Sequence, residues 1–149
     1  MVTARAGLTI LVDEKIGSHP HIHVLIVPGG VVTEELKKSG VVSWIAQVCG
    51  TSQLTASVCT GAFLLAQAGL LDGKTVTTHW EDIADLKADF PQLTVKDGVR
   101  WVDEGKFVTS AGISAGIDMS LHLVSRLVDE ELAIRTALQL EFDWTRNPV

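Results

Sequence analysis

The uncharged run Leu54-Thr55-Ala56-Ser57-Val58 leads directly into Cys59-Thr60-Gly61, and then into small and apolar residues from Ala62 to Ala68, closed by Gly69. Few arrangements accommodate that order. The first run suits a buried strand, the glycine lets the chain turn sharply, and the stretch that follows suits a short helix. The result is a strand, an elbow and a helix. A strand that feeds a helix packed back on its own sheet is the building unit of a parallel sheet, so this segment alone directs the chain toward the α/β class.

The flanking sequence agrees. Leu8 to Val12 reads as a short strand, and Val24 to Val27 is a continuous apolar run that ends at Pro28-Gly29-Gly30, as a buried parallel strand does before a tight loop. Helical patterning covers Thr33 to Ser39 and Val41 to Val48, with a break at Gly40 and a stop at Gly50. Thr75 to Thr78 reads as a strand and Trp80 to Asp89 as a helix stopped before Pro91. Val99 to Val102 and Phe107 to Ser110 form a hairpin across Asp103-Glu104-Gly105. Ser114 is placed to cap a helix to about Val128 with Ile117, Leu121, Val124 and Leu127 along one stripe, and Glu130 to Leu140 makes a last helix before a tail with Trp144 and Pro148. Strands alternating with helices predict a three-layer α/β/α sandwich around a mostly parallel sheet.

The 149 residues are enough for one domain with a full core, and no repeat, low-complexity tract or linker divides them. Apolar residues make up 46% of the chain, which suggests strands covered on both faces or apolar surface buried against a partner subunit. Twelve Lys and Arg stand against 18 Asp and Glu, for a net charge of -6 without a basic cluster, so nucleic acid is not an expected partner. No apolar run is long enough to span a bilayer, the N-terminus has no secretory pattern, and the two cysteines do not form a disulfide framework. A cytoplasmic, reduced setting is expected.

Cys59 is the leading candidate for chemistry. A thiolate is the reactive form of cysteine, and the amides that open a helix favour negative charge beside them. The competing reading is a small buried hydrophobe, which is how free cysteine usually serves; Cys49, at no such junction, is assigned to packing. His79 ends a strand and either hydrogen-bonds to Cys59 or caps the next helix. Gly29 and Gly30 either make a turn or offer N–H groups to an anion beside the sulfur. His19, His21 and His23 alternate along an extended segment, but no cysteine or carboxylate stands at ligand spacing, and no metal site is expected. Asp118 is placed in the first turn of its helix, where the dipole favours a carboxylate, and is taken as structural. The four tryptophans, Trp44, Trp80, Trp101 and Trp144, are assigned to packing or interface burial.

Several ordered motifs resemble the ThiJ/PfpI superfamily: Val27-Pro28-Gly29-Gly30, Ser57-Val58-Cys59-Thr60-Gly61-Ala62, Ala68-Gly69-Leu70-Leu71-Asp72-Gly73-Lys74, Thr77-Thr78-His79-Trp80, and the run Ser110 to Asp118. The likeness is greatest to its isocyanide hydratase branch and to the amidotransferase-like sensor domains of AraC-type regulators. It implies a flavodoxin-like sandwich, usually dimeric, with Cys59 as the reactive thiol, Gly30 and Thr60 N–H groups around a developing anion, Gly61 at the turn and His79 near the cysteine. No cofactor is implied. Members of the family carry an acidic residue on a preceding strand and helix, and this chain starts after that unit. Glu34, Glu35, Glu81 and Asp82 are the available substitutes for the acid.

Three functions follow as expectations. The first is a cysteine-dependent hydratase or lyase turning an isocyanide into an N-substituted formamide. The second is a non-catalytic sensor of a small molecule or of oxidation. The third is a relative without activity whose sheet lacks a strand.

Overall fold

The computed structural model describes residues 1–146, so Pro148 of the tail lies outside the described residues. The elements in chain order are β1 Val2–Thr3, β2 Thr9–Ile10, β3 Val24–Val27, α1 Thr33–Leu36, α2 Ser39–Thr51, β4 Leu54–Val58, α3 Gly61–Gln67, β5 Thr75–Val76, α4 Ile83–Asp89, β6 Thr94–Val95, β7 Trp101–Glu104, β8 Phe107–Ser110, α5 Ser114–Leu127 and α6 Glu130–Gln139.

The central sheet has the order β3-β4-β8-β7. β4 pairs in parallel with β3 on one side, Val24 opposite Leu54, and with β8 on the other, Thr55 opposite Phe107; β7 closes the sheet antiparallel to β8. Side chains alternate between faces along a strand, so each face carries its own core. Leu25 and Val27 of β3 pack with Ile45 and Val48 of α2 and Phe63, Leu64 and Leu65 of α3. Leu54 and Ala56 of β4 pack on the opposite face with Trp101, Val108, Met119 and Leu123. Two helical layers thus enclose a parallel-rich sheet, the α/β/α sandwich expected from the alternation. Fully burying a leucine such as Leu54 or Leu65 is worth about 2 kcal/mol.

Local departures from the sequence reading have identifiable causes. Gly40 and Gly50 lie inside α2, and the break between α1 and α2 falls at Lys37 and Lys38, where Lys38 is extended. A glycine in a helix costs about 1 kcal/mol, less than α2 recovers by burying Ile45, Val48 and Cys49. Only Thr9–Ile10 of the first expected strand is paired, antiparallel to β1 and away from the central sheet. Of the strand expected over Thr75 to Thr78, only Thr75–Val76 forms, pairing with β6 in a sheet of its own. The expected helix from Trp80 begins as a single 3-10 turn, Trp80–Asp82, before α4.

The start of α5 also differs. Ser114 is its first residue rather than its cap; Ile113 occupies the cap and supplies no side-chain bond. Asp118 therefore lies beyond the first turn, and it is fully buried. Its carboxylate accepts from Arg100 and from the Thr145 N–H at 2.7 Å, while its carbonyl accepts from Trp144 Nε1 at 3.1 Å. The aspartate fastens the C-terminal tail to α5, which is a structural role reached by contacts rather than by the dipole.

Candidate functional site

Three loops that follow the parallel strands β3, β4 and β8 meet at one edge of the sheet, joined there by the segment after β5. They enclose a cavity of about 400 Å³. Pro28, Gly29 and Gly30 come from the loop after β3, Val58, Cys59 and Thr60 from the end of β4, His79, Glu81 and Asp82 from beyond β5, and Ile113 from the loop after β8. The carboxyl ends of parallel strands are where open α/β sheets receive their ligands.

Cys59 occupies the sharpest point of this arrangement. Its φ is 57°, in the left-handed region that a non-glycine residue enters at a cost of about 1–2 kcal/mol. The turn lifts it out of β4 and onto the head of α3, where it is partly exposed. Cys49, by contrast, is 2% exposed, in keeping with a packing role. The elbow is tight because α3 begins against the end of β3: a Cβ at Gly61 would stand 2.2 Å from the Val27 carbonyl oxygen. Gly29 backs onto the same point, where a Cβ would meet the Thr60 nitrogen at 2.6 Å. At the far end, Gly69 in the left-handed region closes α3, with Leu70 N–H bonded to the Leu65 carbonyl and Gly69 N–H to that of Ala66.

The Gly30 N–H, expected to point at the anion, is instead given to Thr60 Oγ1 at 2.9 Å, and that hydroxyl donates back to the Gly30 carbonyl at 2.8 Å. This reciprocal pair locks the loop after β3 onto the elbow. Among the described residues, the N–H groups of Thr60 and Gly61, the two that follow Cys59 in the chain, find no protein acceptor.

His79 lines the cavity with Cys59, and among the described residues no hydrogen bond joins the two. Its Nδ1 accepts the Glu81 N–H at 3.3 Å, so the ring caps the 3-10 turn, and the same nitrogen stands 3.4 Å from an Asp82 carboxylate oxygen. The first contact needs a lone pair on Nδ1 and the second a proton there, so the two are not made at once. The ring packs on Gly112, where a Cβ would lie 2.2 Å from His79 Cδ2.

Of the four acidic residues considered from sequence, Glu81 and Asp82 reach the cavity wall. Glu34 and Glu35 are instead paired with Lys37 and Lys38 on the exposed side of α1. Of the alternating histidines, His19 accepts from Trp44 Nε1 at 2.9 Å and His21 and His23 stack edge to face; no group of three metal-binding side chains occurs among the described residues.

Two residues of the site carried little signal in the sequence. Ile113 has φ 52° and ψ −102°, is 83% exposed, and forms a wall of the cavity. A β-branched residue in that region is a genuine outlier, at a cost of order 1–3 kcal/mol. Thr78 is buried and donates to the Cys59 carbonyl at 2.8 Å. The clue to Ile113 was its place between Gly112 and Ser114; nothing in the sequence set Thr78 apart from its threonine neighbours.

A parallel-rich sheet between two helical layers, with a sharp strand-to-helix turn at the carboxyl end of its central strand, defines the class of flavodoxin-like α/β sandwiches. Within that class the chain belongs to the DJ-1/PfpI family, whose model matches residues 1–126. It is 37% identical over 142 residues to an isonitrile hydratase of Pseudomonas putida, covering 95% of this chain and 61% of that protein. It is 32% identical over 146 residues to the HTH-type transcriptional regulator GbdR of Pseudomonas aeruginosa, covering 98% of this chain and 40% of the regulator. Among solved structures, a ThiJ/PfpI family protein from Pseudomonas syringae superposes with a TM-score of 0.86 at 31% identity, over 99% of this chain and 61% of that one. The chain thus spans less than two thirds of these relatives.

Proposed function

We propose that the protein is a cysteine-dependent hydratase of small electrophiles, with an isocyanide as substrate and an N-substituted formamide as product. The observation that carries this reading is Cys59 itself, held at φ 57° at the head of α3 and opening into a cavity of about 400 Å³. The identity to isonitrile hydratase supports the choice of substrate.

In this reading the sulfur bonds to the isocyanide carbon, and that carbon takes a proton to give a thioimidate. Water then adds to the same carbon, the carbon–sulfur bond breaks, and the thiol is restored as the formamide leaves. The sum is one isocyanide and one water to one formamide. The Thr60 and Gly61 N–H groups, in this reading, receive the negative charge that develops beside the sulfur. Glu81, Asp82 and His79 are the cavity groups able to move protons. No cofactor takes part, and the protein works in the cytoplasm as a homodimer.

The test is turnover of a simple alkyl isocyanide by the purified protein and by Cys59→Ala. The expected result is formamide from the first and a loss of at least about a thousandfold in the second. Equal rates would remove the proposal.

A second reading has its own support, because several relatives are HTH-type regulators that match this chain along nearly its whole length. There the cavity binds a small molecule, or Cys59 registers oxidation, without turnover. Under dilute peroxide, mass analysis would then find Cys59 oxidised ahead of the buried Cys49.

A further inference from the structure

Cys59 adopts a backbone conformation that its own side chain disfavours, so neighbouring contacts must hold it there. Among the described residues its carbonyl oxygen has two protein donors. The Ala62 N–H is distant at 3.4 Å, and Thr78 Oγ1 stands at 2.8 Å. Thr78 is 1% exposed, so water does not compete for its hydroxyl.

The segment that presents Thr78 is itself fixed. Thr77 donates its N–H to Thr109 Oγ1 at 2.9 Å and its hydroxyl to the Lys96 carbonyl at 3.0 Å. The next residue, His79, lines the cavity beside Cys59, whereas Thr78 does not reach the cavity wall. One buried hydroxyl therefore joins the strained turn to the segment that delivers the histidine.

We propose that Thr78 is a positioning residue: by holding the Cys59 carbonyl it keeps the elbow in its left-handed turn and the thiol directed to the cavity that His79 shares. The proposal rests on Cys59 being the nucleophile. Without the hydroxyl, the turn is free to relax toward negative φ, which swings the Cα–Cβ bond of Cys59 away from its present direction.

The experiment is alkylation by iodoacetamide, read by mass spectrometry at Cys59 with Cys49 as internal reference, in the wild type, Thr78→Val and Thr78→Ser. Valine keeps the shape and removes the hydroxyl, while serine keeps the hydroxyl. Expected are rapid modification of wild-type Cys59, a fall of roughly fivefold to tenfold in Thr78→Val, and a wild-type rate in Thr78→Ser. A purely structural role would show as a lower melting temperature with an unchanged Cys59 rate, and that result overturns the proposal. So does a Thr78→Ser rate as low as that of the valine variant, which decides the matter even if Thr78→Val does not fold. Wild-type Cys59 reacting no faster than Cys49 would overturn the nucleophile reading itself, and the positioning role with it.

Discussion

A side chain at position 61 has nowhere to go, because its first carbon would already stand 2.2 Å from the Val27 carbonyl oxygen. The obstacle is backbone at the carboxyl end of β3, which cannot rotate away as a side chain would. Gly61→Ala is therefore expected to cost about 3 kcal/mol and to lower the melting temperature by roughly 5–10 °C, as read by calorimetry. The substitution also presses on the elbow, so Cys59 alkylation should slow by more than stability alone explains. An alanine variant that melts like the wild type would mean that α3 can slide along β3 without loss. At this scale the sequence was informative where a residue type is the device itself. The turn at Cys59 and Gly61 was legible because a glycine between a buried strand run and a small-residue helix leaves few other geometries. The Gly30 amide was misdirected because hydrogen-bond partners between distant loops, here Gly30 and Thr60, leave no mark in local pattern.

Among the elements, α5 and the hairpin of β7 and β8 are joined by an ionic cluster. Asp103 accepts from His122 Nε2 at 2.7 Å and from Arg126 Nη1 at 2.9 Å, while the His122 ring stacks on Trp101 at 3.9 Å. Burial pushes the Asp103 carboxyl up, but the bonds from His122 and the Gly105 N–H, with the charges of Arg126 and His122, outweigh it and leave the group below its ordinary value. A carboxylate lowered in the folded state is protonated first in the unfolded chain as pH falls. Its contribution to stability is thus complete above the unfolded value near 3.8 and is lost as pH drops through the lower folded value. Asp103→Asn should be less stable than the wild type at about pH 6, and the gap should narrow toward about pH 3 in chemical denaturation. A gap that stayed constant would mean that the charge on Asp103 contributes nothing.

The elements themselves were read from sequence with uneven success, and for physical reasons. β3, β4, β8, α3 and α6 were legible because burial, alternation and helix stops coincide in them. The boundaries of α2 were not, because two glycines that would end an isolated helix are overridden by tertiary packing. The first strand, expected over Leu8 to Val12, was read too long because an apolar run reads as a strand whether or not the sheet has room for it; Leu8, Leu11 and Val12 are all exposed.

For the whole molecule, the open edge is decisive. β3 pairs with β4 on one side, and its other side carries no strand among the described residues. Ile26, in the middle of this strand, is 47% exposed, and the adjoining groove, walled by Ile26, Val41 and Trp44, reaches about 790 Å³. An apolar, uncharged edge of this kind templates pairing with another strand. The isolated chain is expected to self-associate with rising concentration, and Ile26→Lys should shift sedimentation toward the monomer without lowering the melting temperature by more than about 1 kcal/mol would. Association that is indifferent to this substitution would place the contact on another face.

The cavity draws its floor from one strand end and its walls from three other stretches of chain, at Pro28–Gly30, His79–Asp82 and Ile113. Under the proposed hydratase reading, reactivity and selectivity thus rest on different segments. Drift in the walls changes what is admitted while the sulfur stays as it is, and loss of a proton donor from one wall leaves a receptor standing where a catalyst was. A relative named as a hydratase and others named as gene regulators match the same stretch of chain, with no rebuilding of the sheet between them.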